Sequence, residues 1–99
     1  CPYGLQDYID LGCWFTVGPD AALDQDVAHL AQTIPLDRLL IESDGLDGIA
    51  WGQHVTLTPA DYPAAMERHL HTVAALRGLT ADALRSVLMH NLDTFLLGI

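Results

Sequence analysis

The stretch Ile34-Pro-Leu-Asp-Arg-Leu-Leu-Ile-Glu-Ser-Asp44 decides the fold of this 99-residue chain. Its second residue is a proline, which stops a preceding helix. The apolar run Leu39-Leu40-Ile41 is too short for a helix and indicates a strand buried on both faces, as in a parallel sheet covered by helices. The run ends in Glu42-Ser43-Asp44. Acidic residues at the carboxyl end of such a strand lie where α/β proteins place their chemistry.

A second strand and a connecting helix precede this stretch. Cys13–Val17 is rich in aromatic and β-branched residues and is closed by Gly18-Pro19, which predicts a strand with a stop signal. Asp20–Gln32 predicts a helix, because one apolar stripe recurs every three or four residues, at Leu23, Val27, Leu30 and Ile34. We therefore expect Cys13–Val17 and Leu39–Ser43 to be neighbouring parallel strands of a βαβ unit.

The second half of the chain predicts a loop followed by two helices. Gly45–Leu57 contains three glycines and no periodicity, which is typical of a loop. Thr58, Pro59 and Asp61 form a helix start, and Gly78 marks the end of that helix. Thr80 caps the last helix, whose predicted inner face consists of Leu84, Val87, Leu88, Asn91, Leu92 and Phe95.

The charge balance restricts the function. The chain has thirteen acidic residues, four arginines and no lysine, which gives a net charge of −9. This segment therefore lacks a basic surface for gripping nucleic acid by itself, although metal ions can carry the positive charge in a nuclease. The sequence contains no run of about 18 apolar residues, so we expect no membrane span. Cys1 and Cys13 fit reduced thiols of a cytoplasmic protein.

The quoted stretch resembles the last barrel strand of the TatD-related metal-dependent hydrolases, which usually reads IPLDRLLLETD; Ser43 stands in place of the usual threonine. YIDLGCWFTVGP resembles the penultimate strand of that family, and the two C-terminal helices resemble its end, so the resemblance spans roughly Tyr8 to Leu96. It implies an α/β fold in which residues 1–99 are the C-terminal part of a single (β/α)8 TIM barrel of the amidohydrolase type. The last two parallel strands and the final helices would lie in this chain.

The resemblance also assigns a role to Asp44. In the family this aspartate projects into the mouth of the barrel, where it ligates a divalent metal (Zn²⁺, Mn²⁺ or Mg²⁺) and accepts a proton from water. The alternative is a turn aspartate that bonds its own backbone before Gly45. Glu42 has the same parity as Asp44 along the strand and fits either a supporting hydrogen-bonded role beside the site or a solvated strand edge.

Other candidates lie in the loop and on the helices. Trp51, Gln53 and His54 follow Asp44 and are candidates for substrate contact, although loop packing for Trp51 and simple exposure for His54 are the commoner roles. His69 and His71 form an H-x-H on a predicted helix, where residues two apart diverge and cannot chelate one ion; we predict surface histidines. Asn91 is predicted to satisfy backbone groups between helix and barrel.

Three functions remain open from the sequence. The first is metal-dependent phosphodiester hydrolysis in the manner of a TatD-like deoxyribonuclease, with DNA as substrate. The second keeps the barrel and metal but hydrolyses a small ester, lactone or amide, because Gly45–Gly48 and Pro59–Asp61 replace the family's usual "APYL" and "NEP". The third is a non-catalytic interaction domain. The remaining metal ligands would come from earlier strands, so we expect the isolated fragment to be inactive.

Overall fold

The computed structural model describes residues 4–42, 50, 51, 53 and 56–98. In these ranges, two short strands and four longer helices make up an α/β arrangement that is mostly helical, and residues 50, 51 and 53 also have helical backbone. In chain order they are α1 (Leu5–Asp10), β1 (Phe15–Val17), α2 (Gln25–Thr33), β2 (Leu39–Ile41), α3 (Tyr62–Leu76) and α4 (Ala81–Leu97), with 3₁₀ turns at Pro19–Ala22, Leu36–Arg38 and Pro59–Asp61.

The two strands are adjacent and parallel, as predicted. Phe15 pairs with Leu39, and Val17 pairs with Ile41. Beyond the paired residues, the Glu42 amide donates to the Val17 carbonyl at 3.0 Å, which carries the ladder one step further along the chain. The two carboxyl ends therefore lie side by side at one edge of the sheet.

Helix α2 begins later than the apolar stripe predicts. The chain first makes a 3₁₀ turn over Pro19–Ala22, and the helix starts at Gln25. Asp24 explains the start, since its Oδ1 accepts from the amides of Asp26 at 2.8 Å and Val27 at 3.4 Å. An aspartate at this position satisfies amides that the first helical turn leaves without partners. Leu23 consequently lies outside the helix and is exposed.

The boundaries of the last two helices follow the predicted signals. Thr58 and Asp61 form a reciprocal cap at the 3₁₀ turn that leads into α3. Gly78, just past the end of α3, has a φ of 67°, a conformation that residues with a side chain rarely adopt. Thr80 caps α4, with its Oγ1 accepting from the Ala83 amide at 3.1 Å.

The core lies between the sheet and helices α2, α3 and α4. Its fully buried apolar members include Val17, Ile34, Leu39, Val73 and Leu84. Leu40 and Ile41 are only half-buried, so the prediction of a strand buried on both faces holds for Leu39 alone among the three residues of β2.

The predicted inner face of α4 is only partly correct. Leu84 and Asn91 are buried, whereas Leu92 and Phe95 are exposed. Phe95 instead packs against the Trp14 ring in a T-shaped arrangement, with the ring centroids 5.5 Å apart and the planes at 78°. The end of α4 extends beyond the elements that cover its first half, so its periodic apolar residues meet solvent in the described part of the chain.

Candidate functional site

The carboxyl ends of β1 and β2 form the edge where the sequence places the chemistry. Val17 and Ile41 end the two strands in register, and Glu42 directly follows β2. Asp44, the predicted metal ligand and base, lies outside the described residues, as do Ser43 and His54. The role assigned to Asp44 therefore stays a prediction.

Glu42 has its side chain in solvent. The residue is exposed, while its backbone amide is bound to the Val17 carbonyl. This exposure fits the solvated strand edge, and the supporting role beside Asp44 stays a prediction. A supporting role beside Asp44 would need contacts from residues outside the described part of the chain.

Trp51 and Gln53 differ from the loop prediction for Gly45–Leu57, since both have helical backbone. Trp51 is 69% exposed, so the expected packing role for its ring is wrong and the ring is accessible. Gln53 is engaged with α3: its Nε2 donates to the Ala65 carbonyl at 2.9 Å, and its Oε1 accepts from Arg68 Nε at 3.1 Å. The Gln53 amide thus attaches the segment after β2 to α3.

His69 is the buried polar residue that the sequence interpretation missed. The prediction of a surface histidine is correct for His71 but wrong for His69, which is 1% exposed. Its Nε2 lies 3.0 Å from the Val17 carbonyl, at the carboxyl end of β1. The signal was present in the sequence, because Ala65, His69 and Val73 recur every four residues along the buried face of α3.

The surroundings of His69 favour a neutral ring with a defined tautomer. Burial lowers the pKa of the imidazole below its ordinary value of 6.5, against the opposing influence of the Val17 and Glu42 backbones and the carboxylates of Asp20 and Glu42. A carbonyl oxygen can only accept a hydrogen bond, so Nε2 carries the proton and its N–H donates to the Val17 carbonyl. Nδ1 then presents a lone pair, and it is buried with no hydrogen-bond partner among the described residues.

Asn91 joins the last helix, α4, to the backbone at the start of β2 by hydrogen bonds. Its Nδ2 donates to the carbonyls of Leu36 and Leu39, each at 2.8 Å. The predicted structural role, satisfying backbone groups between helix and strand, is confirmed.

Comparison with known protein families gives a match over nearly the whole chain. Residues 3–97 match the family model described as TatD related DNase. The chain belongs to the TatD-related DNase family. The match covers nearly the whole chain and confirms the resemblance seen in the Ile34–Asp44 stretch, which places the protein in a family of hydrolases. Neither the curated proteins nor the solved structures gave a match.

The described part of this TatD-related chain does not make a metal site by itself. No group of three or more His, Cys, Asp or Glu side chains that could hold a metal lies within residues 4–42, 50, 51, 53 and 56–98. Within the same described ranges, no helix has both the length and the apolar character needed to cross a bilayer.

An apolar groove of about 320 Å³ lies beside β2, between α3 and α4. Leu40 and Ile41 line it from the strand, and the Glu67–Arg85 ion pair, 2.7 Å long, also borders it. The remaining lining is apolar and comes from the two helices: Pro63, Met66, Leu70, Leu88, Met89 and Leu92. The second strand thus presents an apolar surface to a space that no described residue fills.

Proposed function

We propose that the protein containing this chain is a metal-dependent hydrolase that cleaves phosphodiester bonds in DNA. The observation that carries the proposal is the match of residues 3–97 to the TatD-related DNase family. The parallel strand pair supports it locally, because Asp44 follows β2 by three residues in the sequence. Strand ends of this kind are where barrel enzymes collect their ligands.

The second element of the proposal is the barrel. Residues 1–99 would form the C-terminal part of a (β/α)8 barrel whose other strands complete the sheet. In the described part of the chain the sheet consists of two parallel strands of three residues, and exposed strand edges of this kind are usually paired or covered in proteins. The apolar groove next to Leu40 and Ile41 is the kind of surface that further strands and helices of a barrel would cover.

Asp44 would supply one carboxylate to the metal site and accept a proton from water. A divalent cation, when bound, lowers the pKa of water toward neutrality and offsets negative charge on the scissile group. One carboxylate is too few for firm binding of a catalytic metal, so the other ligands would come from earlier strands of the barrel. For that reason the 99-residue chain alone should be inactive.

A second candidate function is hydrolysis of a small ester, lactone or amide at the same kind of site. Two observations favour it. The chain has a net charge of −9 and no lysine, which opposes binding of a polyanion by this part of the protein. In addition, Gly45–Gly48 and Pro59–Asp61 depart from the family's usual sequences in the region that follows the last strand.

The decisive experiment uses the full-length protein, freed of metal and then reconstituted with Zn²⁺, Mn²⁺ or Mg²⁺. Single-stranded and double-stranded DNA are assayed beside a panel of small esters, lactones and amides. Asp44→Asn tests the site, and Asp93→Asn, at an exposed position on α4, is the matched control. Metal-dependent DNA cleavage that Asp44→Asn abolishes supports the first function. Turnover of small substrates alone favours the second, and no turnover of either class by metal-loaded protein would indicate a non-catalytic domain.

A further inference from the structure

His69 joins three elements at a single oxygen atom. The Val17 carbonyl, at the end of β1, accepts from His69 Nε2 on α3 and from the Glu42 amide just past β2, both at 3.0 Å. The bond between His69 and Val17 spans 52 residues of sequence, so it fixes a long-range arrangement. Both bonded groups lie at the carboxyl edge of the sheet, where the proposed chemistry is located.

Packing alone does not account for a histidine at this position. The ring is buried, and its Nδ1 has no hydrogen-bond partner among the described residues. A buried polar atom without a partner costs stability, whereas an apolar side chain at the same place would carry no such cost. Its buried neighbours on the same face of α3, Ala65 and Val73, are apolar. What the imidazole adds is the N–H that reaches the strand end.

We propose that His69 is a positioning residue that holds the carboxyl ends of β1 and β2 in register and thereby fixes the backbone leading into Asp44. The inference rests on the proposed hydrolytic function, because it assigns His69 to the support of that site. His69 acts through the Val17 carbonyl and the Glu42 backbone and has no contact with substrate in this role. Asp44 is two residues beyond Glu42 in the sequence, so displacement of Glu42 moves the start of the segment that carries the carboxylate.

Three variants of the full-length protein separate positioning from packing. His69→Gln keeps an N–H donor at nearly the distance of Nε2, His69→Leu fills the space without a donor, and His71→Gln changes an exposed histidine on the same helix. We expect His69→Leu to lower kcat by about 10- to 100-fold, the scale for small misplacement of a catalytic group, with KM nearly unchanged. His69→Gln should restore most of the loss, and His71→Gln should match the wild type.

A measurement that does not depend on activity tests whether His69 holds the strand ends in register. Hydrogen exchange of the Glu42 amide, followed by NMR, should be faster in His69→Leu than in the wild type and close to wild type in His69→Gln. The ¹⁵N shifts of the wild-type imidazole should identify the tautomer with the proton on Nε2. If the wild-type enzyme shows no hydrolysis, the proposed function fails. Slow Glu42 exchange that depends on His69 would still establish that His69 holds the two strand ends in register.

Specific outcomes would overturn the proposal. His69→Leu with wild-type kcat and wild-type Glu42 exchange would show that the bond does not position the strand ends. A folded His69→Gln as defective as His69→Leu would show that the N–H donor is not the relevant feature. Should His69→Leu fail to fold, His69→Val is the second apolar variant, and failure of both would mean that His69 serves the stability of the core and not the site.

Discussion

The side chain of Asn91 donates to the backbone carbonyl of Leu39 at 2.8 Å and so joins the last helix to the second strand. The same Nδ2 donates to the Leu36 carbonyl at 2.8 Å, just before the strand. Asn91 is 1% exposed; its bond to the Leu39 carbonyl is buried, and its bond to the Leu36 carbonyl is partly buried. One amide thus serves two carbonyls of the segment that enters β2.

Asn91→Ala should therefore destabilise the fold strongly. It leaves two carbonyls without their donor and creates a small cavity, and the loss of a buried hydrogen-bond partner costs about 1–3 kcal/mol for each group left unsatisfied. Asp93→Ala, on the exposed side of the same helix, is the control. Urea unfolding monitored by circular dichroism measures both, and equal midpoints for the two variants would contradict the structural role of Asn91.

Arg77 should stabilise the fold far more than Arg85. Arg77 Nη1 donates to three carbonyls at the end of α2, those of Ala31, Gln32 and Ile34, at 3.2, 2.9 and 2.6 Å. A guanidinium there also complements the negative end of the helix dipole. Arg77→Ala should cost about 2 kcal/mol, the scale for hydrogen bonds that involve a charged group.

Arg85 is the comparison, because its ion pair with Glu67 is exposed and screened by solvent. Arg85→Ala should leave the melting temperature nearly unchanged. Thermal unfolding of both variants at the same ionic strength measures the difference. A larger loss for Arg85→Ala than for Arg77→Ala would show that surface charge, not the carbonyl contacts, sets the stability.

Local signals in the sequence predict the pairing of the two strands and the boundaries of the last two helices. The parallel pairing of β1 with β2 follows from two apolar runs separated by one segment with helical periodicity. The helix ends at Thr58, Gly78 and Thr80 follow from the capping preferences of those three residues. The start of α2 was misplaced because Asp20 and Asp24 both qualify as caps, and the sequence does not show which one bonds the free amides.

Burial was harder to predict because it depends on what packs against each face. His69 was assigned to the surface on its polarity, although its four-residue spacing from Ala65 and Val73 places it in the core. Periodicity assigns Phe95 to the interior, although the residue is 50% exposed and its ring packs on Trp14 at the margin of the fold. The predicted role of Asp44 depends on the family resemblance and on its place after β2, since a lone carboxylate before a glycine also fits an ordinary turn.

Protonation of His69 should make the fold less stable in mildly acidic solution. The pKa of the buried imidazole lies below 6.5, whereas in the unfolded chain it returns to about that value. Below pH 6.5 the unfolded state therefore binds a proton that the native state resists, and stability falls as the pH falls through this window. Above it, the stabilisation of the neutral form is complete. The attraction of Asp20 and Glu42 for a charged ring opposes this effect in part.

The control for this pH dependence is His69→Gln, which retains a donor but does not titrate. Chemical unfolding between about pH 5.5 and 7.5 keeps the ordinary carboxylates ionised in both proteins. The wild type should lose stability toward the acidic end more steeply than the variant. Parallel pH profiles would show that the native pKa of His69 is not depressed.

The 99-residue chain, expressed alone, should associate or be poorly soluble. The end of α4 exposes Leu92, Phe95, Leu96 and Leu97, and the groove beside β2 is apolar. Contiguous apolar surface of this kind drives association when its normal cover is missing. Sedimentation velocity should detect oligomers, and the double variant Leu92→Glu, Leu96→Glu should reduce them. A wild-type chain that is monomeric and unfolds cooperatively would show it to be a domain in its own right, against the barrel proposal.

Asp44→Asn in the full-length protein should separate turnover from stability. Asparagine has nearly the same size as aspartate but can neither neutralise a cation well nor accept a proton. The substitution should therefore lower metal-dependent hydrolysis by about 100-fold or more, the scale for loss of a general base. The melting temperature should change little, because a residue held for catalysis contributes little to packing.

Asp61→Asn should give the reverse result. Asp61 Oδ2 accepts from the Thr58 amide at 3.0 Å and the Thr58 hydroxyl at 2.9 Å, and these bonds hold the pKa of Asp61 below its usual value. A neutral amide is a weaker acceptor and interacts less with the helix dipole, so the melting temperature should fall slightly while turnover stays intact. Turnover and melting temperature are measured for both variants under the same metal conditions. Near-normal turnover by metal-loaded Asp44→Asn would mean that Asp44 is only a turn residue, because a ligand and base cannot be replaced by asparagine without loss.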